Sequence, residues 1–205
     1  MKFTLYKLNS KNYPFKQSAL KKTFKLFSKN DDEISLFNST YINDGHYHVV
    51  FHLSDEHVSS TKKGGIALTV PFSQYINAFV IEDTFFLESN NKNYTRLIKN
   101  YVEKEYDIKL EQFIFNNDYI ISLLSLTNGY VKKIETSDIN EESETFHGLT
   151  IEEIEGISKT KEITFINFLF GNVFISVNNE TKSISINTKD EEELLTILGV
   201  ATNAI

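Results

Sequence analysis

The 205-residue chain contains no cysteine, no tryptophan and only two prolines. Without cysteine it can form neither a disulfide framework nor a thiolate zinc site, and it has no cysteine nucleophile. No stretch reaches the roughly 18 apolar residues of a membrane-spanning helix, and the first residues lack the apolar core of a signal peptide. These absences favour a cytoplasmic protein without a membrane partner.

The motifs of several large enzyme classes are missing as well. There is no G-x-G-x-x-G dinucleotide fingerprint, no P-loop, no G-x-S-x-G nucleophile elbow and no H-E-x-x-H zinc helix. Ser18 and Lys21 match S-x-x-K, but the companion S-D-N and K-T-G motifs of penicillin-recognising enzymes are absent. The sequence therefore favours a protein that is not an enzyme, and it gives no reason to expect a cofactor.

The order of the apolar patterns predicts the fold class. Strand patterns come in adjacent pairs separated by turn residues, with helical patterns scattered between them. This order predicts an α+β fold of antiparallel sheets built from hairpins and a C-terminal three-strand meander, with about four to five helices packed on the sheets. If the chain forms two α+β lobes rather than one domain, the predicted lobes are 1–108 and 109–205.

Alternating apolar and polar residues predict several strands in the first half of the chain. The first strand is predicted at 2–8. A hairpin is predicted around Asn43-Asp44-Gly45, because glycine supplies the positive φ that such turns require. A separate strand at 66–72 precedes a second hairpin, which turns at Glu82-Asp83. A helix is predicted at 93–106, with Asn93 as its N-cap.

In the second half of the chain, a strand is predicted near 110–115 and a helix at 118–126, ended by Asn128-Gly129. The acidic stretch at 136–155 is predicted to be mostly loop, with one helical turn capped by Thr150. A meander of three strands is predicted over residues 163–186. The last helix is predicted to start at Thr188 and to stop at Gly199.

Charge is distributed unevenly along the chain, which has a formal net charge of −7. Residues 1–30 carry eight lysines and no acidic residue, whereas residues 31–205 carry 13 basic and 28 acidic residues. A helix predicted at 16–29 places its apolar residues on one stripe and its lysines off that stripe. The lysines of this basic helix form a candidate interaction site: Lys16, Lys21, Lys22, Lys25 and Lys29.

These charges and the abundance of phenylalanine and tyrosine favour a non-enzymatic module that binds a protein partner. A bacterial accessory protein of a defence or toxin-neutralising system would fit this description. The alternative is a nucleic-acid-associated protein that binds through 16–29, because each lysine–phosphate contact adds salt-dependent affinity. The net acidity and the single arginine, Arg96, argue against nucleic acid.

Four of the five histidines fall between residues 46 and 57. Residues two apart on a strand share a face, so His46, His48 and His52 would line one face. Imidazoles at such positions can converge on a metal ion, which makes a metal-dependent enzyme the second alternative. The same spacing is expected of the solvent face of a strand whose other face, with Val49 and Phe51, is buried.

Overall fold

A computed structural model describes residues 1–9, 15, 34–43, 45–60, 67–138, 140 and 142–205. In these residues the chain forms 11 strands and four helices, which confirms the predicted α+β class. It divides into two compact units, one made of Met1–Lys7 with Glu111–Ile205 and the other of Leu8–Leu110. The predicted lobes at 1–108 and 109–205 stay a prediction, and the predicted helix at 16–29 lies outside the described residues.

In the unit Leu8–Leu110, four strands lie side by side in the order β2-β3-β4-β5. All three pairings between them are antiparallel. The two predicted hairpins are confirmed, with positive φ angles of 81° at Gly45 and 54° at Glu82 in their turns. The bounds of these strands are β2 (Ile34–Asn43), β3 (His46–Ser60), β4 (Ala67–Ile81) and β5 (Thr84–Glu88).

Strands β3 and β4 pair over their full length of 15 residues each, without a shift in register. The predicted break between a strand at 66–72 and the following hairpin is therefore wrong, because β4 continues without interruption from Phe72 to Ile76. In this part of β4, the described residues provide a neighbouring strand on the β3 side only. Because no described strand lies on the other side of β4 here, the N–H group that Pro71 lacks does not interrupt a second ladder of hydrogen bonds.

Helix α1 (Lys92–Tyr106) and an aromatic core belong to the same unit. Asn91 rather than Asn93 caps this helix, since its side chain accepts the N–H of Asn93 at 2.8 Å. The buried ring of Phe15 lies 6.1 Å from the ring of Phe51 and 5.6 Å from that of Phe85. These rings fill the side of the sheet on which alternate residues of β3 are buried.

In the other unit, strands lie in the order β1-β11-β10-β9-β7-β8. The predicted strand at 2–8 and the predicted C-terminal meander, formed by β9, β10 and β11, are both confirmed. The bounds of these strands, together with β6, are β1 (Lys2–Leu8), β6 (Leu110–Gln112), β7 (Tyr130–Ser137), β8 (Ser143–Phe146), β9 (Glu162–Phe170), β10 (Val173–Asn178) and β11 (Ser183–Ile186).

Three helices complete this unit: α2 (Asn117–Thr127), α3 (Ile151–Ser158) and α4 (Glu191–Asn203). One amide side chain joins several of these elements. Asn117 donates to the carbonyls of Ser158 and Lys161 at 2.9 and 2.8 Å, and it accepts the N–H of Ile163 at 2.9 Å. The start of α2 is thereby bonded to the end of α3 and to the start of β9.

The predicted limits of the last helix are wrong at both ends. Asp190 is the N-cap of α4, because its carboxylate accepts the N–H of Glu193 at 2.9 Å. The hydroxyl of Thr188 instead donates to the carboxylate of Glu193. The helix continues past Gly199 because its buried side, which includes Ala201, also continues.

The acidic stretch at 136–155 is more ordered than predicted. It contains the end of β7, the whole of β8 and the first half of α3. The capping box of Thr150 with Glu153 is confirmed, and it begins a helix of eight residues rather than one turn. An ion pair of Glu144 with Lys161 neutralises part of its charge.

Two glycines of this unit allow a matched test of packing. A Cβ atom added at Gly129 would lie 2.5 Å from the buried Phe168 ring, whereas one added at Gly199 meets nothing within 4 Å. We expect Gly129→Ala to lower the free energy of unfolding by about 1–3 kcal/mol, because a packed ring must move. Gly199→Ala should raise it by about 0.5–1 kcal/mol, since alanine favours a helix interior.

Chemical denaturation of the two alanine variants beside the parent protein measures both effects. Both variants replace glycine by alanine, so the effect of this change on the free energy of the unfolded chain is common to both and cancels in the comparison. Changes of equal size and sign in the two variants would contradict the packing described for Gly129.

Candidate functional site

One face of the β2–β3–β4 sheet carries an exposed group of rings. Phe37 is 61% exposed and Tyr75 is 53% exposed, and their ring centroids lie 4.8 Å apart in an edge-to-face contact. The imidazole of His52 lies 5.3 Å from the ring of Tyr75. We call Phe37, His52 and Tyr75 the aromatic cluster. Contiguous exposed apolar surface of this kind marks interaction sites on proteins.

The alternation of β3 and its register with β4 create the cluster. Val49 and Phe51 are buried, so the residues between and after them, including His52, point to the opposite face. His52 pairs directly with Tyr75 across the strands. The side chain of Phe37 then reaches Tyr75 from β2, two strands away.

Strand β2 contains a β-bulge at Phe37. The register of β2 with β3 shifts between Leu36 and Asn38, so Phe37 has no directly opposed residue on β3. The N–H of Leu36 bonds to the hydroxyl of Tyr101 on α1 at 3.3 Å. A bulge redirects the side chains beside it, and sequence alternation alone does not reveal one.

The histidines predicted as metal ligands have separate polar partners. His48 Nε2 lies 3.0 Å from Asn77 Oδ1, and His52 Nε2 lies 2.9 Å from Ser73 Oγ. His48 and His52 are four residues apart on one strand, which corresponds to about 13 Å between their Cα atoms. The structure therefore directs these two imidazoles to different neighbours on β4.

His46 is the third predicted ligand, and it begins β3 opposite Ile81. In the part of the chain that the structure describes, no group of three His, Asp or Glu side chains is arranged to hold a metal ion. A metal site at His46, His48 and His52 thus gains no further ligand from these residues. It stays a prediction.

A chain of hydrogen bonds joins three strands beside the aromatic cluster. Asn77 Nδ2 donates to Glu88 Oε2 at 2.8 Å, so its Oδ1 is the atom that accepts from His48 Nε2–H. The backbone N–H of Asn77 bonds to the same carboxylate at 3.2 Å. These hydrogen bonds could not be predicted from sequence, because they depend on the pairing of β3 with β4 and of β4 with β5.

Strands β3 and β4 extend beyond their neighbours as a two-stranded ribbon. Among the described residues, Ser54–Ser60 and Ala67–Ser73 pair only with each other. At 3.3 Å per residue this ribbon is about 23 Å long. A two-stranded hairpin alone is only marginally stable in water, so the ribbon depends on contacts at its base.

One such contact joins α1 to the base of the ribbon. The hydroxyl of Tyr94 donates to Asp55 Oδ2 at 2.5 Å, and the N–H of Glu56 donates to Oδ1 at 2.7 Å. The Tyr94 hydroxyl, with the Glu56 N–H second, lowers the pKa of Asp55 from its ordinary value. The same hydrogen bond raises the pKa of Tyr94, because the hydroxyl proton is held by the carboxylate.

The described strands that carry the aromatic cluster contain no lysine or arginine. Between residues 31 and 91 the lysines are Lys62 and Lys63, which lie outside the described residues, and there is no arginine. The five lysines of the predicted basic helix, Lys16, Lys21, Lys22, Lys25 and Lys29, also lie outside them. The described residues of this face are therefore aromatic and polar.

Comparison of the chain with protein-family models and with curated proteins finds no match in either case. None of the helices that the structure describes is long and apolar enough to cross a membrane. The fold and the site define the chain as an antiparallel α+β protein with an exposed aromatic sheet face beside a two-stranded ribbon.

The contact between Tyr94 and Asp55 can be tested by titration. We expect Tyr94→Phe to raise the Asp55 pKa towards its ordinary value, because the variant lacks the hydroxyl that favours the carboxylate. The stabilisation from this contact should be present above roughly pH 4, the ordinary range of an aspartate, and be lost as the pH falls through the lowered Asp55 pKa.

Carbon-13 NMR of the Asp55 carboxyl, with denaturation at neutral and acid pH, measures both quantities. Tyr101→Phe is the control for the titration alone, because it removes a tyrosine hydroxyl from the same helix without touching Asp55 but also breaks the bond of that hydroxyl with the Leu36 N–H. An Asp55 titration that is the same in the parent and in Tyr94→Phe would show that the contact is absent.

Proposed function

We propose that the protein acts without catalysis, by binding a protein partner through the aromatic cluster. The observation that supports this most is the packing of Phe37 on Tyr75, both more than half exposed, on an open sheet face. Covering a phenylalanine side chain is worth about 1.5–3 kcal/mol, so a partner that covers this pair gains substantial free energy. Aromatic residues at the centre of a surface patch are the usual energetic anchors of protein interfaces.

The charge around the cluster favours a protein over a nucleic acid as the partner. Nucleic-acid affinity comes largely from lysine and arginine contacts with phosphates. Ser73 and Asn77, which border the cluster on β4, are uncharged, and β2 to β5 contain no lysine or arginine at all. Stacking of bases on Phe37 or Tyr75 would have no lysine or arginine contact with phosphate from these strands to support it.

The geometry of β2 favours docking on the face of the sheet rather than on its edge. β2 shifts register with β3 twice, between Leu36 and Asn38 and between Tyr41 and Asn43. Bulges of this kind hinder the addition of another strand to an edge. The partner is therefore expected to contact side chains of the face instead of extending the sheet.

The partner surface should itself be uncharged and partly apolar. Burial of an unpaired charge is costly, and the cluster offers no opposite charge to pair with one. Glu88 carries the carboxylate of the hydrogen-bond chain beside the cluster, and it already accepts hydrogen bonds from Asn77 and Asn90. Ser73 and Asn77 can supply hydrogen bonds at the rim of the interface.

The other functional predictions from the sequence stay predictions. They are nucleic-acid binding through the basic helix at 16–29, a metal-dependent activity at His46, His48 and His52, a cytoplasmic location, and a role in bacterial defence or toxin neutralisation. The described residues add no observation that favours any of them over the interaction surface.

Substitution in the cluster tests the proposed function. We expect Phe37→Ser and Tyr75→Ser each to weaken the complex with a partner, once identified and purified, by about thirtyfold, the effect of losing an interface anchor. Isothermal titration calorimetry measures the affinity. Both variants should stay folded and lose only about 0.5–1.5 kcal/mol of unfolding free energy, the value of the ring contact that each of them removes.

Phe174→Ser is the matched control, since Phe174 is 42% exposed on β10 of the other unit. It makes the same chemical change outside the cluster and should leave the affinity unchanged. Equal losses in Phe174→Ser and Phe37→Ser, or no loss in either cluster variant, would show that the partner does not bind at this face.

A further inference from the structure

A cleft of ≈ 340 Å³ lies in the other unit, where the end of α2 and the start of β7 meet the start of α3. Asn128, Tyr130, Gly148 and Glu152 are among the residues that line it. Small-molecule sites usually range over roughly 300–1,000 Å³. At the lower end of that range, this cleft fits one extended side chain better than it fits a cofactor.

Two glycines shape the cleft. Gly129 lies against the buried ring of Phe168 and leaves no room for a side chain of its own. Gly148 has a positive φ of 63°, and a Cβ atom there would lie 3.8 Å from the hydroxyl of Tyr130. The missing side chain at Gly148 keeps the space beside the Tyr130 hydroxyl open.

The two helix ends at the cleft differ in how their partial charges are compensated. α3 begins there with its positive end, which is balanced by Glu152 and Glu153 in its first turn. α2 ends there with its negative end, and this helix, described throughout, has no basic residue in its last turn. In this last turn the carbonyl of Leu124 already accepts the N–H groups of Asn128 and Gly129. The negative charge at the cleft therefore comes mainly from the carboxylate of Glu152, with the remaining helix-end carbonyls adding a partial charge.

The ring of Tyr130 also attracts positive charge. It is 58% exposed, and the ammonium group of Lys132 lies 4.4 Å from its centroid. An ammonium or guanidinium group close to an aromatic face is a favourable cation–π arrangement. Lys132 thus already occupies one face of this ring, so a second cation must use the other face or displace Lys132; neither Lys132 nor His147 is part of the cleft lining.

We propose that this cleft binds the guanidinium or ammonium group of an arginine or lysine side chain from a peptide. Glu152 pairs with the cation, Tyr130 lies against it, and the end of α2 adds the partial charge of its carbonyls. The site lies in a different unit from the aromatic cluster, and its argument does not depend on the function proposed for that cluster.

Titration followed by amide NMR tests this site with three probes that differ in charge. Nα-acetyl-arginine amide and Nα-acetyl-lysine amide should produce saturable shifts at Gly129, Tyr130, Gly148 and Glu152. Nα-acetyl-norleucine amide, which has a similar apolar chain without the charge, should not. Equal binding of the norleucine probe, or no saturable shift with either cationic probe, would overturn the proposal.

Two substitutions on the same helix separate a specific ion pair from general electrostatics. Glu152→Gln should weaken binding of the arginine probe about tenfold, the effect of losing a charged hydrogen-bond partner. Glu155→Gln removes the same charge outside the cleft and should weaken binding by no more than about twofold. Equal weakening in the two variants would overturn the proposal.

Tyr130→Leu gives an independent readout of the ring. It keeps the bulk of the residue but removes the aromatic face, so it should weaken both cationic probes while the amide spectrum stays that of a folded protein. Unchanged affinity in Tyr130→Leu would contradict the part assigned to the ring.

Discussion

The antiparallel pairing of β3 with β4 determines most of what the unit Leu8–Leu110 can do. The two strands keep one register from His46 opposite Ile81 to Ser60 opposite Ala67. Because successive side chains alternate between faces, this register assigns each residue of both strands to one face. A slip of one strand by a single residue would turn all of its side chains to the other face, so the burial of Phe51 and the partial exposure of His52 depend on the same pairing.

The aromatic cluster is a consequence of that register and of the bulge in β2. The register places His52 beside Tyr75. The bulge lies at Phe37, whose side chain extends across β3 and contacts the same tyrosine. Hydrogen bonds of His48 with Asn77, and of Asn77 with Glu88, link β3, β4 and β5 beside the aromatic cluster, on the face that the described residues leave open. The ribbon extends from the same pairing, and the hydroxyl of Tyr94 anchors its base. The aromatic cluster, the hydrogen bonds beside it and the ribbon thus all depend on the register of β3 with β4.

Local patterns in the sequence predicted much of the fold, because their causes are local. The alternation of β3, the turn at Gly45 and the capping box at Thr150 each involve residues within a few positions of one another. The limits of elements were harder to predict where longer-range packing decides them. β4 continues across residues 73–75 because β3 pairs with it there, and α4 passes Gly199 because its buried side continues.

The candidate site was less predictable than the fold. The sequence indicated that His48 and His52 share a face, but that pattern fits both a metal site and a solvent face. The contact of Phe37 with Tyr75 joins residues on strands that are not neighbours, and no spacing in the chain reveals it. The cleft at Tyr130 depends on two helix ends that meet only in the folded unit.

A measurement of ring-to-ring nuclear Overhauser effects in the free protein tests this account most directly. The account predicts cross-peaks between His52 and Tyr75 and between Tyr75 and Phe37, since all three rings lie on one exposed face. Cross-peaks that instead place His52 beside Gln74, with no contact between Tyr75 and Phe37, would show a different register and contradict the assembly of the aromatic cluster.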